Sequence, residues 1–239
     1  MQDQCDDHHS LSQAFQTYLR HDKEEQSHWE DVCNAYRQYA TFALCSWRNQ
    51  RHRLDRLPED QRKFLPQGLR SGTLEAEERA RTFKDAAVQN QYTLDCILRH
   101  AGMPHSQEVG PTTTVVGDGQ ISKVSSVLKS LARDWSLDGK GERDQAYEPI
   151  LNAVMEHVPI GLGGDEAPKV CVPGAGVGRL ALELTALGYR VQGNEFSLFM
   201  LLASDFVLNS GACTPEKPMA ISPWVLETRN LHAPTDATR

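Results

Sequence analysis

The sequence predicts an α/β protein in which a long all-helical region precedes the opening strands of a parallel sheet. Three observations carry that expectation. Apolar residues recur every three or four positions through most of the first 160 residues, the period of an amphipathic helix. The run Val170-Cys-Val-Pro-Gly-Ala-Gly-Val-Gly178 then passes from an apolar strand into glycines at alternate positions. Helical spacing resumes at once with Leu180, Ala181, Leu182, Leu184 and Leu187, so the glycine loop joins a buried strand to a helix.

Taken in order, residues 1–10 are polar and expected to be disordered. From Leu11 to about Gly102 the pattern is helical. Trp29, Val32, Tyr36, Ala40, Ala43 and Trp47 form one stripe, and a second helix from about Thr73 to Arg99 turns Phe83, Ala87, Leu94 and Leu98 inward. Such aromatic-bearing stripes are read as core. Residues 103–120, with Pro104, Pro111, Gly117 and Gly119, have no periodicity and form a loop. Helices follow near 121–134 and 142–158, and Gly161-Leu-Gly-Gly164 leads into the strand. Gly188 suits the position just past a helix end, and Tyr189 to Gly193 is a second short strand ending at Asn194-Glu195. The expected organisation is a tail (1–10), a helical region (11–160), a βαβα unit (165–210) and an irregular tail (211–239). No internal repeat is present.

Composition narrows the function. A formal net charge of −7 argues against a nucleic-acid partner, because phosphate neutralisation needs clustered cations. The one basic stretch, Arg48, Arg51, Arg53, Arg56, Arg62 and Lys63, is interrupted by Asp55, Glu59 and Asp60 and reads as a solvated face. Cysteines 5, 33, 45, 96, 171 and 213 show no Cys-x-x-Cys spacing, so no metal site is expected and the set is read as reduced. Cys171, inside the apolar strand, is read as a small core residue. His8 and His9 lie in the polar N-terminus and are not read as ligands. No run of 18 apolar residues and no signal peptide is found, so the expectation is a soluble chain without a membrane partner, in the cytosol or also the nucleus.

The loop limits the ligand further. Without Cβ atoms, Gly174, Gly176 and Gly178 allow a tight turn and a close approach, and the crevice at a strand's carboxyl end is where nucleotide-like ligands sit. A dinucleotide fingerprint requires a sixth-position glycine, where this chain has Arg179. No Gly-Lys-Ser/Thr closes a P-loop. Glu195, about 20 residues beyond the loop, is placed to accept hydrogen bonds from ribose hydroxyls. Singly, the triplet reads as a tight turn and Glu195 as a solvated acid; together they mark a cofactor crevice. The Gly-x-Gly-x-Gly loop after a strand resembles that of S-adenosylmethionine-dependent methyltransferases.

Val172-Pro-Gly-Ala-Gly-Val-Gly-Arg-Leu180, Gly193-Asn-Glu-Phe-Ser197, Phe199-Met-Leu-Leu202 and Phe206-Val-Leu-Asn209 resemble the carnosine N-methyltransferase family. Arg133-Asp-Trp-Ser136, Gly141-Glu-Arg-Asp144, Tyr147-x-Pro149, Ala35-Tyr-Arg37, Leu57-Pro58 and Leu65-Pro66 do so as well, and the likeness covers roughly residues 27–210. Most methyltransferases have an acid where this chain has Pro173. The resemblance implies a Rossmann-like sheet of the seven-stranded type, enclosed in part by the helical region. It implies methyl transfer from S-adenosylmethionine to the imidazole of carnosine, giving anserine, and relatives that methylate histidine in proteins. It assigns cofactor contacts to Arg133, Gly174 and Glu195, within the loop completed by Gly176 and Gly178. A further contact, a glutamine in the family, falls on Ser130, which is too short to reach as glutamine does.

Beyond Glu195 only 44 residues follow, whereas about five more strands at roughly 30 residues per βαβ unit are needed. The family's acidic loop beside the adenine, its acceptor-holding acid and histidine, and a late tyrosine find no match; Asp205, His232 and Asp236 do not fit those positions. Ser222-Pro-Trp224 still resembles the family, and residues 225–239 do not. The expectation is therefore an incomplete sheet in a truncated form of weak or no activity, exposing a strand edge. Other readings stay open: a non-catalytic helical interaction or dimerisation fragment, or another small-molecule methyltransferase or reductase using the same loop. The acceptor and the homodimeric state are not fixed by these residues.

Overall fold

In the computed structural model, residues 23–103, 105, 116–160, 167–214 and 218–227 are described. The expectations for residues 1–22, for most of the 103–120 loop, for 161–166 and for 228–239 lie outside them. The elements are α1 (Lys23–Asp55), α2 (Glu59–Arg62), a 3-10 turn (Gln67–Leu69), α3 (Leu74–His100), α4 (Asp118–Trp135), α5 (Lys140–His157), β1 (Lys169–Pro173), α6 (Arg179–Ala186), β2 (Arg190–Asn194) and α7 (Leu198–Asn209).

The two long stripes meet as their spacing predicts. Trp29, Val32, Tyr36 and Ala43 of α1 and Phe83, Ala87, Leu94 and Leu98 of α3 are all buried, while Ala40 and Trp47 are half-buried. The helices run antiparallel: Trp47 stacks on Phe83 at 4.5 Å, the Ala40 amide donates to Gln91 Oε1, and Trp29 Nε1 faces Met103 Sδ. Pro58 and Pro66, both extended, interrupt helix between them. α3 starts where Thr73 Oγ1 accepts the Ala76 amide at 3.2 Å, with Glu75 and Glu77 in its positive first turn and Arg99 and His100 in its last. The arginines of the basic stretch are exposed, apart from half-buried Arg51.

The sheet is small. β1 and β2 pair in parallel, Val170 opposite Val191 and Val172 opposite Gly193. Between them α6 ends in a Schellman turn: Gly188 at φ 99° donates to Thr185 O, and Tyr189 N donates to Leu184 O. Val172, Leu184 and Tyr189 form a local core against Leu151 and Val154 of α5. Two strands are present among the described residues, so the seven-stranded sheet implied by the resemblance is not seen in them. The pleat corrects one expectation. Val170 and Val172 point to the helix-covered face, so Cys171, on the opposite face, is exposed rather than core. Cys33, Cys45, Cys171 and Cys213 are free. Cys96 is disulfide-bonded, which corrects the expectation of a wholly reduced set; Cys5 lies outside the described residues.

The main core does not stop where the helical composition stops. Val177 of the glycine loop and Phe199, Leu202, Ala203 and Phe206 of α7 belong to the same cluster as α1, α3 and α4. Tyr36 Oη donates to Phe199 O at 2.6 Å in the buried interior. Residues 218–227, without helix or strand, are pinned to the same layer. Asn90 Nδ2 donates to Ser222 O (2.8 Å) and Asn90 Oδ1 accepts the Ser222 amide (2.7 Å). Val225 is buried, and Lys129 pairs with Glu227.

Candidate cofactor site

The chain leaving β1 turns on the three predicted glycines, and each has left-handed backbone: φ is 64° at Gly174, 57° at Gly176 and 81° at Gly178. Their surroundings differ. A Cβ on Gly174 or Gly176 would meet nothing within 4 Å, so that side of the loop is open to a ligand. A Cβ on Gly178 would lie 2.6 Å from Ser204 Oγ and 2.8 Å from Leu208 Cδ1. Gly178 therefore lets the loop seat directly on α7, while Gly174 and Gly176 give the open face.

Glu195 follows β2 and reaches back across the crevice. Its Oε2 accepts the Gly176 amide at 2.8 Å and its Oε1 accepts the Ser197 amide at 2.8 Å. The carboxylate thus fixes the middle of the loop against the end of the second strand. Ionised, it has about four acceptor positions, so two remain for hydroxyl donors. The loop is also held to β2 through Ala175 N and Asn194 O. Phe196, beside this acid, is exposed.

The helical side of the crevice is the end of α4. Trp135 Nε1 donates to Val177 O at 3.0 Å, and the Arg179 guanidinium lies 5.2 Å from the Trp135 ring while pairing with Glu183. This places Arg133 and Asp134 next to the loop. Arg133 Nε and Nη2 donate to Asp134 Oδ1 and Oδ2 at 2.7 and 2.9 Å. That bonding raises the guanidinium's pKa and keeps it charged. Gly139 allows the next turn to pack here, since a Cβ would come 2.2 Å from Arg133 O. Arg143, buried on α5, donates to Arg133 O and Ser136 O. Ser130 is half-buried one helical turn before Arg133, on the same face.

Of the predicted residues, Gly174, Gly176 and Glu195 are in direct contact or continuity, Gly178 seats the loop on α7, and Arg133 and Ser130 lie on α4, whose Trp135 bonds the loop. The residues that reasoning from the sequence missed are Asp134, Trp135, Tyr147 and Arg179. Asp134, Trp135 and Tyr147 stand inside recognisable strings, but nothing in the strings says which side chain binds which. Asp205 holds no place in this site; its Oδ2 lies 3.1 Å from His100 Nε2, and His232 and Asp236 lie outside the described residues. Among the described residues no cluster of three or more His, Cys, Asp or Glu is arranged to hold a metal. Among them no helix is long and apolar enough to cross a membrane.

The family model described as carnosine N-methyltransferase matches residues 111–239. A carnosine N-methyltransferase of Mus musculus is 33% identical over 220 residues, covering 90% of this chain and 52% of the relative. That of Drosophila melanogaster is 33% identical over 237 residues, covering 89% and 50%. That of Schizosaccharomyces pombe is 31% identical over 193 residues, covering 80% and 51%. The chain spans about half the length of these curated relatives.

Proposed function

The chain belongs to the carnosine N-methyltransferase family, and on that premise we propose that the crevice between the glycine loop, Glu195 and Arg133 binds S-adenosylmethionine for methyl transfer to the imidazole of carnosine or a related histidine-containing acceptor. The observation that carries the reading is the loop itself. Its open side is lined by two glycines whose missing Cβ atoms leave free space, and it is fixed from behind by Glu195.

The residues present fit the cofactor's groups. Glu195 retains acceptor capacity for two ribose hydroxyls after holding Gly176 and Ser197. Arg133, about half exposed, offers a planar cation to the carboxylate of the amino-acid end. Ser130 adds a short hydroxyl on the same helix face. The loop has no phosphate to cradle, which fits its departure from the dinucleotide and P-loop patterns.

When bound, this cofactor supplies an activated sulfonium methyl group. The protein's task is then to align a neutral imidazole nitrogen with the methyl carbon and exclude competing water. An unperturbed imidazole pKa of about 6.5 leaves most of the acceptor neutral at physiological pH. Held by Glu195 and Arg133, the cofactor would supply its methyl to the acceptor nitrogen, and the ring N–H proton would pass to solvent. The residues by which the family holds its acceptor have no assigned position among these 239, so transfer by this chain alone is expected to be weak or absent.

Titration calorimetry with S-adenosylmethionine and, separately, NAD tests the site. Saturable binding of the sulfonium cofactor and none of NAD is expected; the reverse would overturn the assignment. Methyl transfer to carnosine, measured with this chain, tests the expectation of weak turnover.

A further inference from the structure

We infer that Asp134 is a positioning residue for the cofactor's carboxylate: it holds Arg133 by one edge of the guanidinium so that the other edge faces the crevice. The inference rests on the cofactor reading above and deepens it.

Neighbours on a helix point about 100° apart and do not ordinarily face each other. Yet here Arg133 curls back onto Asp134 with two bonds, through Nε and Nη2. The two side chains have opposite exposures. Asp134 is 4% exposed and Arg133 is 45% exposed, so the carboxylate is the fixed, interior partner and the guanidinium projects from it. Two parallel bonds to a planar fork also set its plane.

Guanidinium chemistry then decides what remains. The Nε/Nη2 edge is occupied by Asp134. Nη1 makes no hydrogen bond among the described residues, so the Nη1/Nη2 edge keeps a pair of parallel N–H donors for a second carboxylate. Tyr147 stands beside Asp134, and burial, with that carboxylate near, pushes its hydroxyl up to about 12. The backbone around the pair is fixed by Arg143, which spans Arg133 O and Ser136 O. The neighbouring Arg179 donates to Asp134 O at 3.4 Å.

Asp134 also carries a negative charge, and its removal strengthens the field of Arg133. Across a half-exposed guanidinium that attraction is weakened by water. Freeing a long side chain from two bonds costs more, because the rotamers must be ordered again on binding. Asp134→Asn is therefore expected to weaken binding.

The test compares S-adenosylmethionine with its decarboxylated form, which differs in lacking the carboxylate. Asp134→Asn is expected to lower affinity for S-adenosylmethionine about tenfold and to leave the decarboxylated form unchanged. In an Arg133→Ala background Asp134→Asn should cost nothing more. Asp134→Glu, which keeps the charge but displaces the carboxylate that bonds Arg133, should act in the same direction, and it carries the test if Asp134→Asn does not fold by circular dichroism. Unchanged or improved affinity in Asp134→Asn, or an equal loss for both ligands, overturns the inference while leaving the cofactor reading intact. An Arg133→Ala variant that keeps the wild-type preference for S-adenosylmethionine over its decarboxylated form, or a wild-type chain that binds neither, overturns the reading of Arg133 and this inference with it.

Discussion

Replacing the three loop glycines one at a time with alanine separates the part of the loop that supports from the part that binds. All three have left-handed φ values, so each alanine carries a backbone cost of roughly 1–2 kcal/mol. At Gly174 and Gly176 nothing is added to it, because the new methyl meets no atom within 4 Å. At Gly178 the methyl would press against Ser204 Oγ at 2.6 Å and Leu208 Cδ1 at 2.8 Å. Overpacking of this kind adds roughly 1–3 kcal/mol, bringing Gly178→Ala to about 2–5 kcal/mol. That is a large share of the roughly 5–15 kcal/mol that holds a typical domain together. Urea denaturation followed by circular dichroism reads these costs as shifts in midpoint at constant m. Adding Ser204→Ala and Leu208→Ala should recover part of the loss, since the partners touch and their effects do not add. Cofactor affinity is expected to fall instead in Gly174→Ala and Gly176→Ala, whose methyls enter the open crevice. A Gly178→Ala variant no less stable than Gly176→Ala, or one not rescued by trimming α7, would refute the argument.

Three other expectations follow from the same contacts. Glu195→Ala removes a carboxylate bonded to two amides, and calorimetry should show S-adenosylmethionine binding weakened by about 1.5–3 kcal/mol; unchanged affinity excludes a ribose role. Asn90→Ala leaves the buried Ser222 amide and carbonyl without their partner, so a loss of about 2–4 kcal/mol and faster proteolysis within 218–227 are expected. Stability should also decline in alkali. Burial pushes Cys213 up from 9.0 to about 11, Cys33 up from 9.0 to about 12, and Tyr39 up from 10.0 to about 12. These groups keep their protons longer in the folded chain than in the unfolded one. Their contribution is therefore complete below about pH 9 and is lost as pH rises toward about 12. A urea midpoint that does not fall over that window would contradict the burial of these groups.

Much of the helical layer could be read from spacing, because a stripe such as Trp29, Val32, Tyr36 has one way to be buried. Helix ends were also legible where a residue has a single task, as with Thr73 before α3 and Gly188 after α6. The loop glycines could be found but not told apart: open space over Gly176 and crowding at Gly178 depend on α7, which lies more than 20 residues on. Cys171 was misread because an apolar strand suggests burial on both faces, and here one face is covered. At the site, Glu195 was visible from its distance to the loop. The pairing of Arg133 with its own neighbour was not, since helix geometry argues against it and Asp134 turns inward for tertiary reasons. The hold of Asn90 on Ser222 joins residues 132 apart, with no local signal at either end.

The seat of Val177 in the helical core bears on modularity. Composition invites a cut near residue 165, leaving a nucleotide-binding unit to stand alone. Such a fragment would strip Val177 of its packing, Trp135 of its acceptor and Phe199 O of Tyr36. The crevice would lose its floor before losing any ligand contact. Recombining this loop with a foreign helical partner should therefore fail unless the receiving helices bring an indole and a tyrosine to the same two carbonyls, so the helical region and the cofactor loop are expected to have changed together, as one heritable piece.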